Sequence, residues 1–189
     1  MGRVSQAQAR ENRQRVVETA SRLFREQGVH VSVADLMKAA GLTHGGFYKQ
    51  FASKEALVDE ATTLAFEELA RTYARGPVDE STRPGPDESA RRDLIDAYLS
   101  VRHRDNAADG CPVAGLATDM ARTDDSREAH RVYAEGVRGF ADALATDEED
   151  GLVRMCTMIG ALTLARATKD SPLSEEILTA ARRALTSDG

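Results

Sequence analysis

Residues 32–57 read SVADLMKAAGLTHGGFYKQFASKEAL, and the spacing within them decides the fold. Ser32 offers a hydroxyl to cap a short helix over residues 33–40, in which Val33, Leu36, Met37 and Ala40 recur at helical spacing. Gly41 ends that helix, because glycine takes positive φ without a steric penalty. After one tight turn, Thr43 can cap a second helix over residues 44–51. At about 100° per residue, Phe47 and Phe51 fall together while Gly45, Gly46 and Lys49 fall opposite. One side of this helix therefore faces a core. The other presents a polar, basic edge flanked by Tyr48 and Gln50, with His44 at its amino-terminal end. A helix, a glycine turn and a short second helix make a helix-turn-helix, whose second helix meets base edges in the major groove. Each glycine of the Gly45-Gly46 pair costs about 1 kcal/mol in a helix. Close approach to a nucleic-acid backbone or to the preceding helix would offset that cost.

Upstream, Val16, Val17, Ala20, Leu23 and Phe24 give residues 12–27 one buried stripe, and Gly28 stops the helix. Downstream, Ser53 can cap a long helix over residues 54–75. Residues 76–86 then change to Gly, Pro, Ser and charge, which marks a loop and a boundary. Further helices are expected over residues 88–102, 112–121, 126–144, 149–167 and 175–185, the last with Ser174 as its cap. The fold expected is all-α, with about nine helices. It divides into a three-helix head over residues 1–53 and a helical body over residues 54–189.

Composition agrees with helix: 5% aromatics and no Trp leave no long window in which β-favouring residues dominate. The net charge of -6 conceals an asymmetry. Residues 1–55 hold nine Lys or Arg against five Asp or Glu, whereas the remainder holds sixteen against twenty-six. A basic head on an acidic body points to a local site for a polyanion that the body itself would repel.

Together with Leu23-Phe24-Arg25-Glu26-Gln27-Gly28 before it, the stretch resembles the TetR family of bacterial regulators. The likeness rests on helix 1, the glycine turn, the Phe47-Tyr48 pair and Phe-x-Ser-Lys-Glu-x-Leu over residues 51–57, in fixed order. It implies a homodimeric DNA-binding regulator. By default this is a repressor, released from a palindromic operator by a small organic effector or by modification of Cys111. The DNA contacts implied fall at Ser32, Val33, Thr43, His44, Gly45, Gly46, Tyr48, Lys49 and Lys54. Thr43, Tyr48 and Lys54 suit phosphates as a hydroxyl, a phenol and an ammonium. His44 and Lys49 suit base edges, Lys49 by donating to guanine O6 or N7. Gln50 departs from the His or Tyr often found before this Phe in the family. Arg10 and Arg13 are further sources of charge for the DNA backbone.

In the body, Ile159, Leu162 and Arg166 on one helix and Ile177 and Ala181 on the next form stripes. The resemblance makes them a dimer interface; taken alone, they equally suit packing within one subunit. Cys111 stands before Pro112, which fits the first position of a helix and makes Cys111 its cap. The positive helix end, with Arg102 and Arg104 nearby, would lower the thiol pKa. The segment over residues 109–117 also resembles family members that sense electrophiles or oxidants through a cysteine. Otherwise Cys111 is a small buried hydrophobe. In a different arrangement, Tyr98, Met120, Met155 and Met158 line an apolar pocket for an uncharged effector.

Other functions find little support. The sequence has no glycine-rich phosphate loop, His/Glu metal pair or nucleophile elbow, so no catalytic residues, metal or cofactor are expected. An enzyme would have to use Cys111 with His103 or His130. A helical ligand-binding dimer without DNA binding would explain the body but not the basic head. Residues 1–10 lack the apolar core of a signal peptide, and no window approaches the roughly 20 apolar residues of a membrane span. Two cysteines are too few for a disulfide framework, and a cytoplasmic protein is expected.

Overall fold

The computed structural model describes residues 6–73, 88–122, 127–146 and 151–186, and among these it contains nine α-helices, one 3₁₀ helix and no strand. The loop expected over residues 76–86, and the expected helix ends at Arg75, Ser126 and Glu149, lie outside the described residues. Helices α1 (Gln6–Gln27), α2 (Val33–Ala39) and the 3₁₀ helix (His44–Lys49) form the head. The others are α3 (Lys54–Tyr73), α4 (Glu88–Tyr98), α5 (Val101–Asp105), α6 (Pro112–Met120), α7 (Arg127–Leu144), α8 (Gly151–Ala167) and α9 (Leu173–Thr186).

Local chemistry sets the boundaries in the head. Ser32 Oγ accepts from the Asp35 amide at 3.1 Å and caps α2. At the other end, Gly41 at φ 71° lets its own N–H reach the Lys38 carbonyl and that of Leu42 reach Met37. This paired closure reverses the chain within two residues. Ser53 caps α3 by accepting from the Ala56 amide at 3.2 Å.

Three expected boundaries move, the first being the start of α1, which lies at Gln6 and not at residue 12. Ser100 divides the single helix expected over residues 88–102: its hydroxyl donates to the Ala97 carbonyl and accepts from the His103 amide, ending α4 and starting α5. Ser174 is not a cap. Ser171 Oγ accepts from the Leu173 amide, so α9 starts earlier and Ser174 lies inside it. There its buried hydroxyl donates to the Ala165 carbonyl at 2.7 Å and accepts from Arg104 at 2.9 Å.

Two apolar cores result. The first gathers Val16, Ala20, Phe24, Leu36, Met37, Phe47 and Phe51 of the head with Leu57 of α3 and Leu116 and Met120 of α6. The second gathers Phe66, Tyr98, Phe140, Met155, Met158 and Leu162 with Cys111 and Val113. Helix α6 thus contributes its carboxy-terminal end to one core and its amino-terminal end to the other. Large side chains buried this completely each stabilise by about 1.5–3 kcal/mol, so neither end of α6 is free to leave its site. Tyr133 of α7 adds a further tie, its hydroxyl donating to the Val113 carbonyl at 2.8 Å.

Candidate functional site

The exposed edge of the head is built on a 3₁₀ helix of six residues rather than the α-helix expected over residues 44–51. Two adjacent glycines weaken the α form, and both Gln50 and Phe51 close their amides on the Phe47 carbonyl. At three residues per turn, Gly45 and Tyr48 share one edge and Gly46 and Lys49 the next. Phe47 is fully buried and stacks on Phe51 at 5.4 Å, while Tyr48 stands edge-on to Phe47 and is 67% exposed. The anchor and the presented side chain are therefore successive residues.

The two glycines differ. A Cβ on Gly45 would meet nothing within 4 Å, whereas one on Gly46 would touch Met37 Cε at 3.5 Å. That is ordinary van der Waals contact, so packing against α2 demands glycine at neither position, and Gly45 is open to the outside. Thr43 makes no side-chain bond to the helix it precedes, so its exposed hydroxyl is spare. His44 and Lys49 are exposed beside it, as is Ser32 at the start of α2; Val33 is half-buried. Lys54 begins α3, where burial lowers its pKa against the opposing charges of Glu55 and Asp119. Arg13 is paired with Glu60 of α3 and lies over the Phe51 ring at 4.8 Å.

Behind the head, Arg25 is buried at the junction with the body. Its guanidinium donates to the Ser21 carbonyl, to the Gly110 carbonyl at 3.2 Å and to Glu68 at 3.0 Å. Beside it lies a cavity of about 600 Å³ between α1, α3, α4, α5 and the segment before α6. Cys111 forms part of its wall and is itself buried. Burial pushes the Cys111 thiol up, and the amides of Ala114 and Val113, the Tyr98 hydroxyl and the charge of Arg166 oppose this without prevailing. The lowered thiol pKa expected from the helix end is therefore overturned, because desolvation outweighs the dipole.

His103 fills the space between Tyr98 and Cys111. The Cys111 amide donates to Nε2 at 3.2 Å, so Nε2 carries no proton and Nδ1–H donates to the Tyr98 carbonyl at 2.8 Å. Burial holds the His103 pKa below its ordinary value; the Tyr98 carbonyl opposes this and the charge of Arg166 adds to it.

The profile of bacterial regulatory proteins of the tetR family matches residues 16–61, which contain the capped α2, the glycine closure and the 3₁₀ helix. Over this stretch the head is of the tetR type. The chain is a transcriptional regulator with a helix-turn-helix DNA-binding head. The HTH-type transcriptional repressor DhaR of Mycobacterium sp. (strain GP1) is 28% identical over 145 residues, 75% of this chain and 70% of that protein. A TetR transcriptional regulator from Chloroflexus aurantiacus shares the fold at a TM-score of 0.69 and 21% identity, covering 95% of this chain and 94% of that one. Reduced Escherichia coli NemR does so at 0.67 and 19%, covering 93% and 95%.

Within the body, several side chains sit elsewhere than expected. Among the four residues expected to line an apolar pocket, only Tyr98 borders the cavity. Met120 belongs to the head core, and Met155 and Met158 are packed within the body. Of the five residues expected at a dimer interface, Leu162 is fully buried, while Ile159, Ile177 and Ala181 pack on the body core and remain partly exposed. Arg166 turns inward to the carbonyls of His103 and Arg104. The outer face of α8 instead carries Val153, Cys156, Gly160 and Leu164. Arg104 is bound to Asp105 and Ser174, and it is the charge of Arg166 that acts on the thiol. Sequence reasoning missed Arg25 and Glu68, for which a helical Arg and Glu 43 positions apart give no signal.

Proposed function

We propose that this protein is a homodimeric repressor that leaves a palindromic operator when a small organic effector occupies the cavity beside Cys111, or when Cys111 is modified. The observation behind this reading is the placement of α6. Its first turn borders the cavity, and its last turn, through Leu116 and Met120, is part of the core beneath the DNA-facing edge. A change at one end is thereby felt at the other, and the effector acts by preferring the arrangement that no longer fits DNA.

On the DNA, residues 1–53 bind and residues 54–189 sense and dimerise. Thr43, Tyr48 and Lys54 hold phosphates, and His44 and Lys49 approach base edges. Gly45 and Gly46 admit the backbone, and Ser32 and Val33 bring the start of α2 to the duplex. Two heads related by a two-fold axis read a palindrome, with half-site spacing set by their separation. The outer face of α8, with Val153 62% and Leu164 57% exposed, is the apolar surface offered to the second subunit, next to α9. No helix among the described residues is long and apolar enough to cross a membrane, which suits a cytoplasmic regulator.

The test is binding of the full-length protein to duplex DNA from its own promoter region at two salt concentrations, with and without a thiol-reactive electrophile. Release by the electrophile in the wild type but not in Cys111→Ser establishes thiol sensing. Indifference to the electrophile assigns release to reversible effectors, and lack of salt-sensitive specific binding overturns the repressor reading.

A further inference from the structure

Four charged side chains border the cavity, Arg25, Arg102, Glu68 and Asp109, and they are not all paired with one another. Arg25 and Glu68 form one pair across it, and Asp109 is drawn to Arg22 at 3.1 Å. His103 is held uncharged by its two hydrogen bonds. Arg102 also borders the cavity, and it has no ion-pair partner among the described residues. With Asp109 engaged by Arg22 from outside the lining, Arg102 is the lining charge left without an ion pair among the described residues. The remaining wall includes Leu69, Leu94, Ala97 and Pro112, and a volume of about 600 Å³ lies in the range of small-molecule sites.

We propose that this cavity binds an organic anion, a carboxylate with an apolar body, recognised by Arg102 and Arg25. A cationic ligand that drew Glu68 away would leave the buried Arg25 without its carboxylate, and a neutral one would leave Arg102 uncompensated. The Arg25 side chain is 5% exposed and fixed by two carbonyls, whereas that of Glu68 is 41% exposed. Glu68 is thus the partner that yields. The incoming carboxylate replaces it on Arg25, and the buried guanidinium is never left unpaired. Arg102, at the mouth, anchors the same carboxylate by a second charge-assisted bond. The apolar body then lies along Leu69 and Leu94.

Arg25 belongs to α1 of the head, so the ligand touches the DNA-binding unit directly. Its effect on DNA rests on the repressor reading above; its binding does not.

The experiment is calorimetric titration of the full-length protein with hexanoate, octanoate, benzoate and 1-naphthoate, each beside its primary amide, and with octylamine. At least one carboxylate is expected to bind below about 1 mM, its amide about tenfold more weakly or worse, and octylamine not at all. Arg102→Gln lowers carboxylate affinity about tenfold and leaves the amide unchanged. Glu68→Gln frees Arg25 and tightens carboxylate binding, which loss of a merely structural ion pair would not do. Absence of carboxylate binding, an amide or amine that binds as tightly as the acid, or indifference to Arg102→Gln overturns the proposal. Carboxylate binding that leaves promoter DNA bound sustains the anion site and overturns its part in operator release.

Discussion

Arg25 in α1 and Gly110, the residue before Cys111, are joined directly: Nη1 of the guanidinium donates to the Gly110 carbonyl across 3.2 Å and 85 positions of sequence. Gly110 is buried, so this carbonyl has poor access to water in compensation. Arg25→Leu is expected to destabilise the protein by about 1–3 kcal/mol, the cost of an orphaned buried acceptor. Urea unfolding of variant and wild type measures it, and an unchanged midpoint would show that the contact contributes nothing.

Close contact between α1 and α6 gives a second expectation. A Cβ on Gly115 would lie 3.0 Å from the Arg25 carbonyl oxygen and 3.1 Å from its Cα, and backbone there cannot easily yield. Gly115→Ala should therefore destabilise by about 1 kcal/mol although alanine is the better helix former. Gly160→Ala, with nothing within 4 Å of its Cβ, should stabilise the dilute subunit by about 0.5–1 kcal/mol. Thermal melts of the two variants are expected to shift in opposite directions.

Acid should weaken the protein through His103. Because burial keeps its native pKa below the ordinary value, the unfolded chain takes up the proton first. This contribution to stability is complete above about pH 6.5 and is lost as the pH falls through the lower native value. Melting temperatures followed from neutral to mildly acidic pH should decline, and His103→Gln should remove the part of the slope due to this residue.

On DNA, Lys54→Ala should weaken binding evenly across sequences and reduce the salt slope by about one. Lys49→Ala should also alter which sequences are preferred. Competition binding against a panel of duplexes separates the two, and equal losses without any change of preference would remove the division of roles.

The cysteines should react in a fixed order. Cys156 is exposed, whereas Cys111 is buried and its thiol is pushed up. Iodoacetamide at neutral pH should label Cys156 first and Cys111 only slowly, as read by peptide mass spectrometry. Faster labelling of Cys111 would mean that the cavity wall opens readily in solution.

Much of the head could be read from residue types, since its devices are local. Ser32 and Asp35 are three residues apart, Gly41 ends a four-residue apolar pattern, and Phe47 and Phe51 share a face in either kind of helix. What could not be read depends on distant neighbours. Arg25 resembles any solvated helical arginine until Gly110 and Glu68 are brought to it. Met120 fits a body pocket by composition, but α6 runs towards the head and places it there. The stripes on α8 and α9 have the right period, yet period alone does not say whether Leu162 and Arg166 face a second subunit or their own. The thiol at Cys111 shows the same limit: its place at a helix start was legible, and the burial that reverses the expected shift was not.

The sharing of α6 between two cores bears on how such proteins can be recombined. A chimera joining residues 1–53 to a foreign body would leave behind Leu57, Leu116 and Met120, which belong to the same core as Phe47. Transplanting this DNA specificity therefore requires a host whose own α6 presents side chains of matching volume, and the interchangeable part is larger than the segment that touches DNA.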